Sequence, residues 1–126
     1  MRLAVVILNY NTPGDTIACL KSLKQAKLPK GLHVETTLVD NASTDDSVDL
    51  IKSKFPEVRL IENITNQGFA GGNNVGIKAA LEENPTHILL LNPDTLVDQN
   101  FFVSILNSAI TNPKVGIVTP LIYFAK

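Results

Sequence analysis

Five short apolar runs constrain this chain more than any other feature: Leu3–Leu8, His33–Val39, Val58–Glu62, His87–Leu91 and Val115–Thr119. Three of them are nearly continuous Val, Ile and Leu, without the alternation of a half-solvated strand. Parallel strands covered on both faces need that composition. Between the runs lie four amphipathic patterns with helical spacing. Thr12-Pro13-Gly14-Asp15 reads as a capping box with Pro at the first helical position, ahead of Ile17, Leu20 and Leu23. Ser43-Thr44-Asp45-Asp46 repeats the signal before Val48, Ile51 and Phe55, and Pro56 stops that helix. A third helix is expected from about Asn73 to Glu83. A fourth is capped by Asp98, turns Phe101, Ile105 and Ala109 inward, and ends before Pro113. The order βαβαβαβαβ predicts an α/β fold: a Rossmann-like, mostly parallel sheet with right-handed crossovers and helices on both faces.

The length of 126 residues suits one domain, 1–126, large enough to bury a core without staples. Apolar residues at 44% and charged residues at 18% exclude disordered, collagen-like and coiled-coil chains. A net charge of −1 gives no general field for polyanions, so no nucleic acid partner is expected. Cys19 is the single cysteine, which rules out a disulfide framework or a cysteine metal cage within one chain. No apolar run approaches the roughly 20 residues of a membrane span, and Asn9-Tyr10-Asn11 interrupts the first run too early for a signal peptide. A soluble, cytoplasmic domain is expected. Lys21, Lys24, Lys27 and Lys30 read as a solvated face, with weak attraction to the inner face of a membrane as the alternative.

In parallel α/β sheets, ligands bind outside the carboxyl ends of the strands, near the switch in strand order. Here those ends deliver Asn9-Tyr10-Asn11, then Asp40-Asn41, then Asn63, Asn66 and a glycine-rich stretch, and finally Asn92-Pro93-Asp94. Asp40 is placed to accept hydrogen bonds from a ribose or a base, or to cap a local turn. Asp45 and Asp46 are first-turn acids favoured by the helix dipole. Asn66–Gly76 opens a helix, and its glycines could bring backbone N–H groups close to a phosphate. The alternative is a tight loop in which Gly76 only allows helix–sheet contact. It is neither a Walker A loop nor a dinucleotide Gly-x-Gly-x-x-Gly. Asp94 after a strand suits Mg²⁺ or Mn²⁺ shared with a diphosphate, whereas Asn-Pro-Asp by itself reads first as type I turn material. His33 and His87 sit at strand starts, away from this rim.

Taken together, Val5-Val6-Ile7-Leu8-Asn9-Tyr10-Asn11, Leu38-Val39-Asp40-Asn41-Ala42-Ser43-Thr44-Asp45, the Asn66–Gly76 stretch and Leu90-Leu91-Asn92-Pro93-Asp94 resemble family 2 glycosyltransferases, most closely the rhamnosyltransferase-like members. The four motifs occur in the right order over nearly the whole chain. The resemblance implies the N-terminal half of a GT-A fold that binds a nucleoside diphosphate sugar, UDP- or dTDP-linked, with a Mg or Mn divalent cation. It implies inverting transfer to a glycan or lipid-linked acceptor. By resemblance Asn9, Tyr10 and Asn11 border base and ribose, and Asp40 contacts the base. Asn66, Gly68, Asn73, Asn74 and Asn92 lie by the nucleotide, and Asp94 is the metal ligand.

Three departures stand out. Asn92-Pro93-Asp94 replaces the family's Asp-x-Asp, leaving one carboxylate. Asn73 stands where many members carry Arg. The family's acceptor half, with its carboxylate base, is expected beyond Lys126, so no catalytic residue is assigned and the chain reads as a truncated piece, inactive alone. The fifth run should then pair differently or expose an apolar edge, inviting self-association. Two other α/β modules fit the topology but not the residues. A receiver domain needs an acidic pair after the first strand, and a dinucleotide oxidoreductase needs its glycine loop there.

Overall fold

A computed structural model describes residues 1–124 of the chain. The first four runs form the strands β1 (Arg2–Asn9), β2 (His33–Asp40), β3 (Arg59–Glu62) and β4 (His87–Leu91). They make one parallel sheet in the order β3-β2-β1-β4. The chain steps outward from β1 to β3, then crosses back to lay β4 on the far side of β1. The switch in strand order therefore falls between β1 and β4. The register sets Asn9 beside Asp40 and Asp40 beside Glu62, while Ile7 pairs Leu91. The polar residues after each apolar run thus finish at one edge.

The strand side chains alternate between two cores. Leu3, Val5 and Ile7 of β1 face Cys19, Leu20 and Leu23 of α1 (Pro13–Gln25), Ile51 of α2 (Ser47–Lys54) and Phe102 of α4 (Phe101–Ile110). Ala4 and Val6 face Ala80 of α3 (Gly68–Leu81) on the opposite side. The near-continuous apolar composition of β1 follows from this double coverage.

Several local expectations are corrected. Helix α3 begins at Gly68, not near Asn73, so the glycine-rich stretch is itself helical. Two of its glycines serve contact with the sheet: a Cβ on Gly76 would run into Val6 and Val39, and one on Gly72 into Leu8. Close packing here outweighs the roughly 1 kcal/mol that each glycine costs a helix. At the start of α1, Pro13 takes its expected place but no capping box forms. The Thr12 hydroxyl donates to Asn9 Oδ1 instead (3.3 Å). Ser43 does not start α2, whose N-cap is Asp46, because its side chain is used on Asp40. The N-cap of α4 is Asn100, and Asp98 Oδ1 accepts the Asn100 N–H at 2.8 Å. The buried stripe of α4 centres on Phe102 and Leu106, with Phe101, Ile105 and Ala109 half-buried beside it.

The largest correction concerns the fifth run. Val115–Thr119 is not a strand, and Ile117 is 92% exposed. A strand exists only through a ladder partner, and among the described residues the free edge of β4 carries none. Leu121, Ile122, Tyr123 and Phe124 continue the same exposed apolar stretch. No helix of the described residues is long and apolar enough to cross a membrane.

Candidate nucleotide-sugar site

Two knots of short polar side chains hold the rim. The first joins β1 to β2. Asn9 is fully buried, and its Nδ2 donates to Asp40 Oδ1 (2.7 Å) and Ser43 Oγ (3.2 Å). Its Oδ1 accepts from the hydroxyls of Thr16 (2.6 Å) and Thr12 (3.3 Å). Asp40 is 2% exposed; its Oδ1 also accepts from the Ser43 hydroxyl (2.6 Å) and its Oδ2 from the Ser43 N–H (2.9 Å). Ser43 Oγ in turn accepts the Asn11 N–H, and Asn11 Oδ1 accepts the Thr44 N–H. Asn11 reaches that position with φ +52°, a left-handed conformation that asparagine tolerates.

The second knot joins β2 to the segment before α3. Asn41, also 2% exposed, accepts from Asn63 Nδ2 (3.1 Å) and the Gln67 N–H (3.0 Å). It donates to Asn66 Oδ1 (2.8 Å) and the Gly68 carbonyl (3.2 Å). Gly68, at φ +71°, closes the turn by donating its N–H to Asn66 Oδ1 (2.8 Å).

Beyond β4 the construction differs. The Asn92 carbonyl accepts from the Thr95 hydroxyl (2.7 Å) and from the buried thiol of Cys19 (3.8 Å). Burial pushes that thiol up to about 11; the Thr95 hydrogen bond opposes the shift and the charge of Asp94 adds to it. Asp94 itself is exposed, and neither accepts a hydrogen bond from nor pairs with any described residue.

A cavity of about 470 Å³ opens between these parts, within the size range of small-ligand sites. Of the residues designated from sequence, Tyr10, Asn66, Gly68, Asn92 and Asp94 line it. Asn9, Asn11 and Asp40 are not in its wall but in the knot described above. Asn73 is buried along α3 with its amide turned to the Phe69 carbonyl (2.9 Å), and Asn74 is exposed on the same helix; neither lines the cavity. The wall also includes Asn41 and Phe69, which the sequence puts on the rim without a role of their own, and Thr12 and Asp15, which it assigns to a helix start. Asn41 was visible as the second residue after a strand, and Asp15 was hidden by its resemblance to a capping acid. The expected base beyond Lys126 lies outside the described residues.

A slightly larger hollow, about 510 Å³, lies against the first half of β2 between Leu20, Leu23, Phe55 and Val58. It is walled mainly by core side chains and meets none of the strand-end polar residues. The smaller cavity, at the switch in strand order, is the candidate site.

Among the described residues, no group of three or more His, Cys, Asp or Glu side chains could hold a metal by itself. A divalent ion at Asp94 would need further oxygens, and a diphosphate beside it could supply them. The free carboxylate on the cavity wall fits that arrangement.

Comparison with known proteins bears on the family and the fold. Residues 4–125 match the model of glycosyl transferase family 2. A poly(ribitol-phosphate) beta-glucosyltransferase of Bacillus spizizenii is 35% identical over 77% of this chain and 15% of its own length. The low-salt glycan biosynthesis hexosyltransferase Agl10 of Haloferax volcanii is 31% identical over 77% of this chain and 29% of its own length. The chain thus spans less than a third of either relative. Among solved structures, mannosyltransferase PcManGT from Pyrobaculum calidifontis, in complex with GDP-Man and Mn²⁺, superposes with a TM-score of 0.72 at 20% identity over 91% of this chain and 34% of that one. S. aureus TarS 1–349 in complex with UDP-GlcNAc gives 0.67 at 22% identity over 86% and 30%. These likenesses show the fold, a Rossmann-like sheet of the GT-A glycosyltransferase type. The relatives are named for glucosyl and hexosyl transfer, so the family is shown and the narrower rhamnosyltransferase likeness is not. By its match over nearly the whole length, the chain belongs to glycosyl transferase family 2.

Proposed function

We propose that residues 1–126 form the donor-binding unit of an inverting glycosyltransferase, taking a nucleoside diphosphate hexose in the cavity at the β1/β4 switch. The observation that carries this reading is Asp94: an unpartnered carboxylate at the end of β4, on the same wall as Asn66 and Gly68. Tyr10, 46% exposed on that wall, is the ring available to border base and ribose. Asn9, Asn11 and Asp40 hold it from behind, and Asn41 holds the turn that starts α3. The start of that helix lines the cavity at Gly68 and Phe69, and the positive end of its dipole favours phosphate there.

A divalent ion, Mg²⁺ or Mn²⁺, would be held by Asp94 with diphosphate oxygens, and would stabilise the negative charge of the departing nucleotide. UDP is the first candidate nucleotide, since the TarS structures hold UDP and UDP-GlcNAc. GDP, as in the mannosyltransferase complex, and dTDP are the others. A rhamnosyl donor falls within this class. The acceptor would be a hydroxyl of a glycan or lipid-linked sugar, deprotonated by a carboxylate that the family resemblance puts beyond Lys126. The exposed apolar stretch around Ile117 and Leu121 supports self-association as part of the same reading.

Calorimetric titration with UDP, dTDP, GDP and their sugars, with and without Mn²⁺, tests the proposal. One nucleotide should bind, and more tightly with the metal. Failure of all of them to bind would refute it.

A further inference from the structure

Helix α1 grips the segment that carries Asp94 at several successive points. Cys19 Sγ donates to the Asn92 carbonyl at 3.8 Å, just before Asp94. Ser22, one turn further along the same helix, accepts the Val97 N–H at 3.1 Å, just after it. The Ser22 hydroxyl is oriented for this by donating to the Cys19 carbonyl at 2.7 Å. Further on, the Lys27 N–H donates to the Gln99 carbonyl at 2.8 Å. Between the first two anchors the chain has little freedom. Pro93 fixes its own φ, and the Thr95 hydroxyl closes back on Asn92 at 2.7 Å. Asp94 is thus the exposed crest of a short arch whose two feet stand on α1.

We propose that Ser22, with Cys19 beside it, is a positioning residue for the Asp94 carboxylate and thereby sets how tightly the cavity takes a divalent ion together with a nucleoside diphosphate. This rests on the reading of Asp94 as the metal ligand. Groups that orient a ligand from behind commonly tune metal affinity strongly, and an arch with one loosened foot must re-order the carboxylate on each binding event. Neither residue lines the cavity. Their effect is confined to the metal-dependent part of binding.

The test measures UDP affinity of the full chain by calorimetry with and without Mn²⁺, and Mn²⁺ immobilisation by electron paramagnetic resonance. GDP replaces UDP if the nucleotide panel selects it. The proteins are the unmodified chain, Asp94→Ala, Ser22→Ala, Ser22→Thr and Cys19→Ala. In Ser22→Ala, metal-free UDP binding should stay within about twofold while the Mn²⁺-dependent gain falls about three- to tenfold. Ser22→Thr keeps the hydroxyl and should restore the gain. Cys19→Ala should cost only about twofold, since a thiol is a weak donor. If Ser22→Ala does not fold, Ser22→Cys, near in size and a poorer acceptor, is read the same way. A full Mn²⁺ gain in Ser22→Ala overturns the proposal. So does an equal loss with and without metal, which would mark Ser22 as merely structural. Asp94→Ala separates the two levels. If it keeps the gain, or the unmodified chain shows none, the metal assignment fails and the positioning role with it. If it loses the gain while Ser22→Ala keeps it, the positioning role alone fails.

Discussion

At the ends of β1 and β2, Asn9, Asp40 and Asn41 are 0%, 2% and 2% exposed, and their side chains are bonded throughout within the chain. Across the cavity at the end of β4, Asp94 is exposed and bonded to no described residue, and Asp15 on the first turn of α1 is in the same condition. The two sides have similar chemistry, being asparagine- and aspartate-rich turns after apolar strands. What separates them is whether hydrogen-bonding capacity is already used. A buried polar group whose partners are all in place rigidifies its surroundings, and losing one partner is costly. A carboxylate left free on a cavity wall costs the fold little and keeps its charge available to a ligand. The holding side and the binding side of the rim should therefore respond to substitution in opposite ways.

The largest expected effect is on the holding side. Asp40→Ala removes the acceptor of one buried N–H of Asn9 Nδ2, which keeps only Ser43 Oγ, and of both donors of the half-buried Ser43. It should lower stability by about 3 kcal/mol or more, read as a fall in the urea midpoint. A variant that melts like the unmodified chain but binds UDP poorly would move Asp40 to the binding side.

Next comes the support beneath the open side. The Cys19 thiol, raised from its ordinary 9.0 to about 11, holds its proton more tightly folded than unfolded. Its contribution is complete below pH 9 and is lost as pH rises through about 11. The loss should be on the order of 2 to 3 kcal/mol. Urea unfolding between pH 8 and pH 11 should show this decline, and Cys19→Ala should flatten it. An equal decline in both proteins would mean the thiol is more accessible to water than its complete burial implies.

A smaller effect is expected at Gly76, whose added Cβ would press on Val6 and Val39. Gly76→Ala should cost about 1–3 kcal/mol from overpacking, despite the better helix propensity of alanine. UDP affinity should not change. A loss of affinity without loss of stability would return the glycine-rich stretch to a phosphate-cradling role.

The sequence carried the first four strands and four helices because each is specified by its own residues: Val/Ile/Leu runs for the sheet, and Pro13, Pro56 and Pro113 as boundaries. Val115–Thr119 has a strand-like composition, but a strand is a property of a pair of segments, and composition cannot report a missing neighbour. The helical start at Gly68 was masked for a related reason, since glycine signals a loop until a sheet surface close enough to need it is known. Within the site, the polar residues after each strand were legible as a group. Their division into holders and binders was not. It depends on the register that sets Asn9 beside Asp40 and on the path of α1 beneath Asn92, both of which arise only when the elements pack.

The most direct test of that division is a pair of measurements on one variant, Asp94→Ala: urea unfolding, and UDP titration with and without Mn²⁺. The account predicts stability within about 0.5 kcal/mol of the unmodified chain, unchanged metal-free UDP binding, and complete loss of the Mn²⁺-dependent gain. Retention of that gain, or a destabilisation comparable to that of Asp40→Ala, would contradict it.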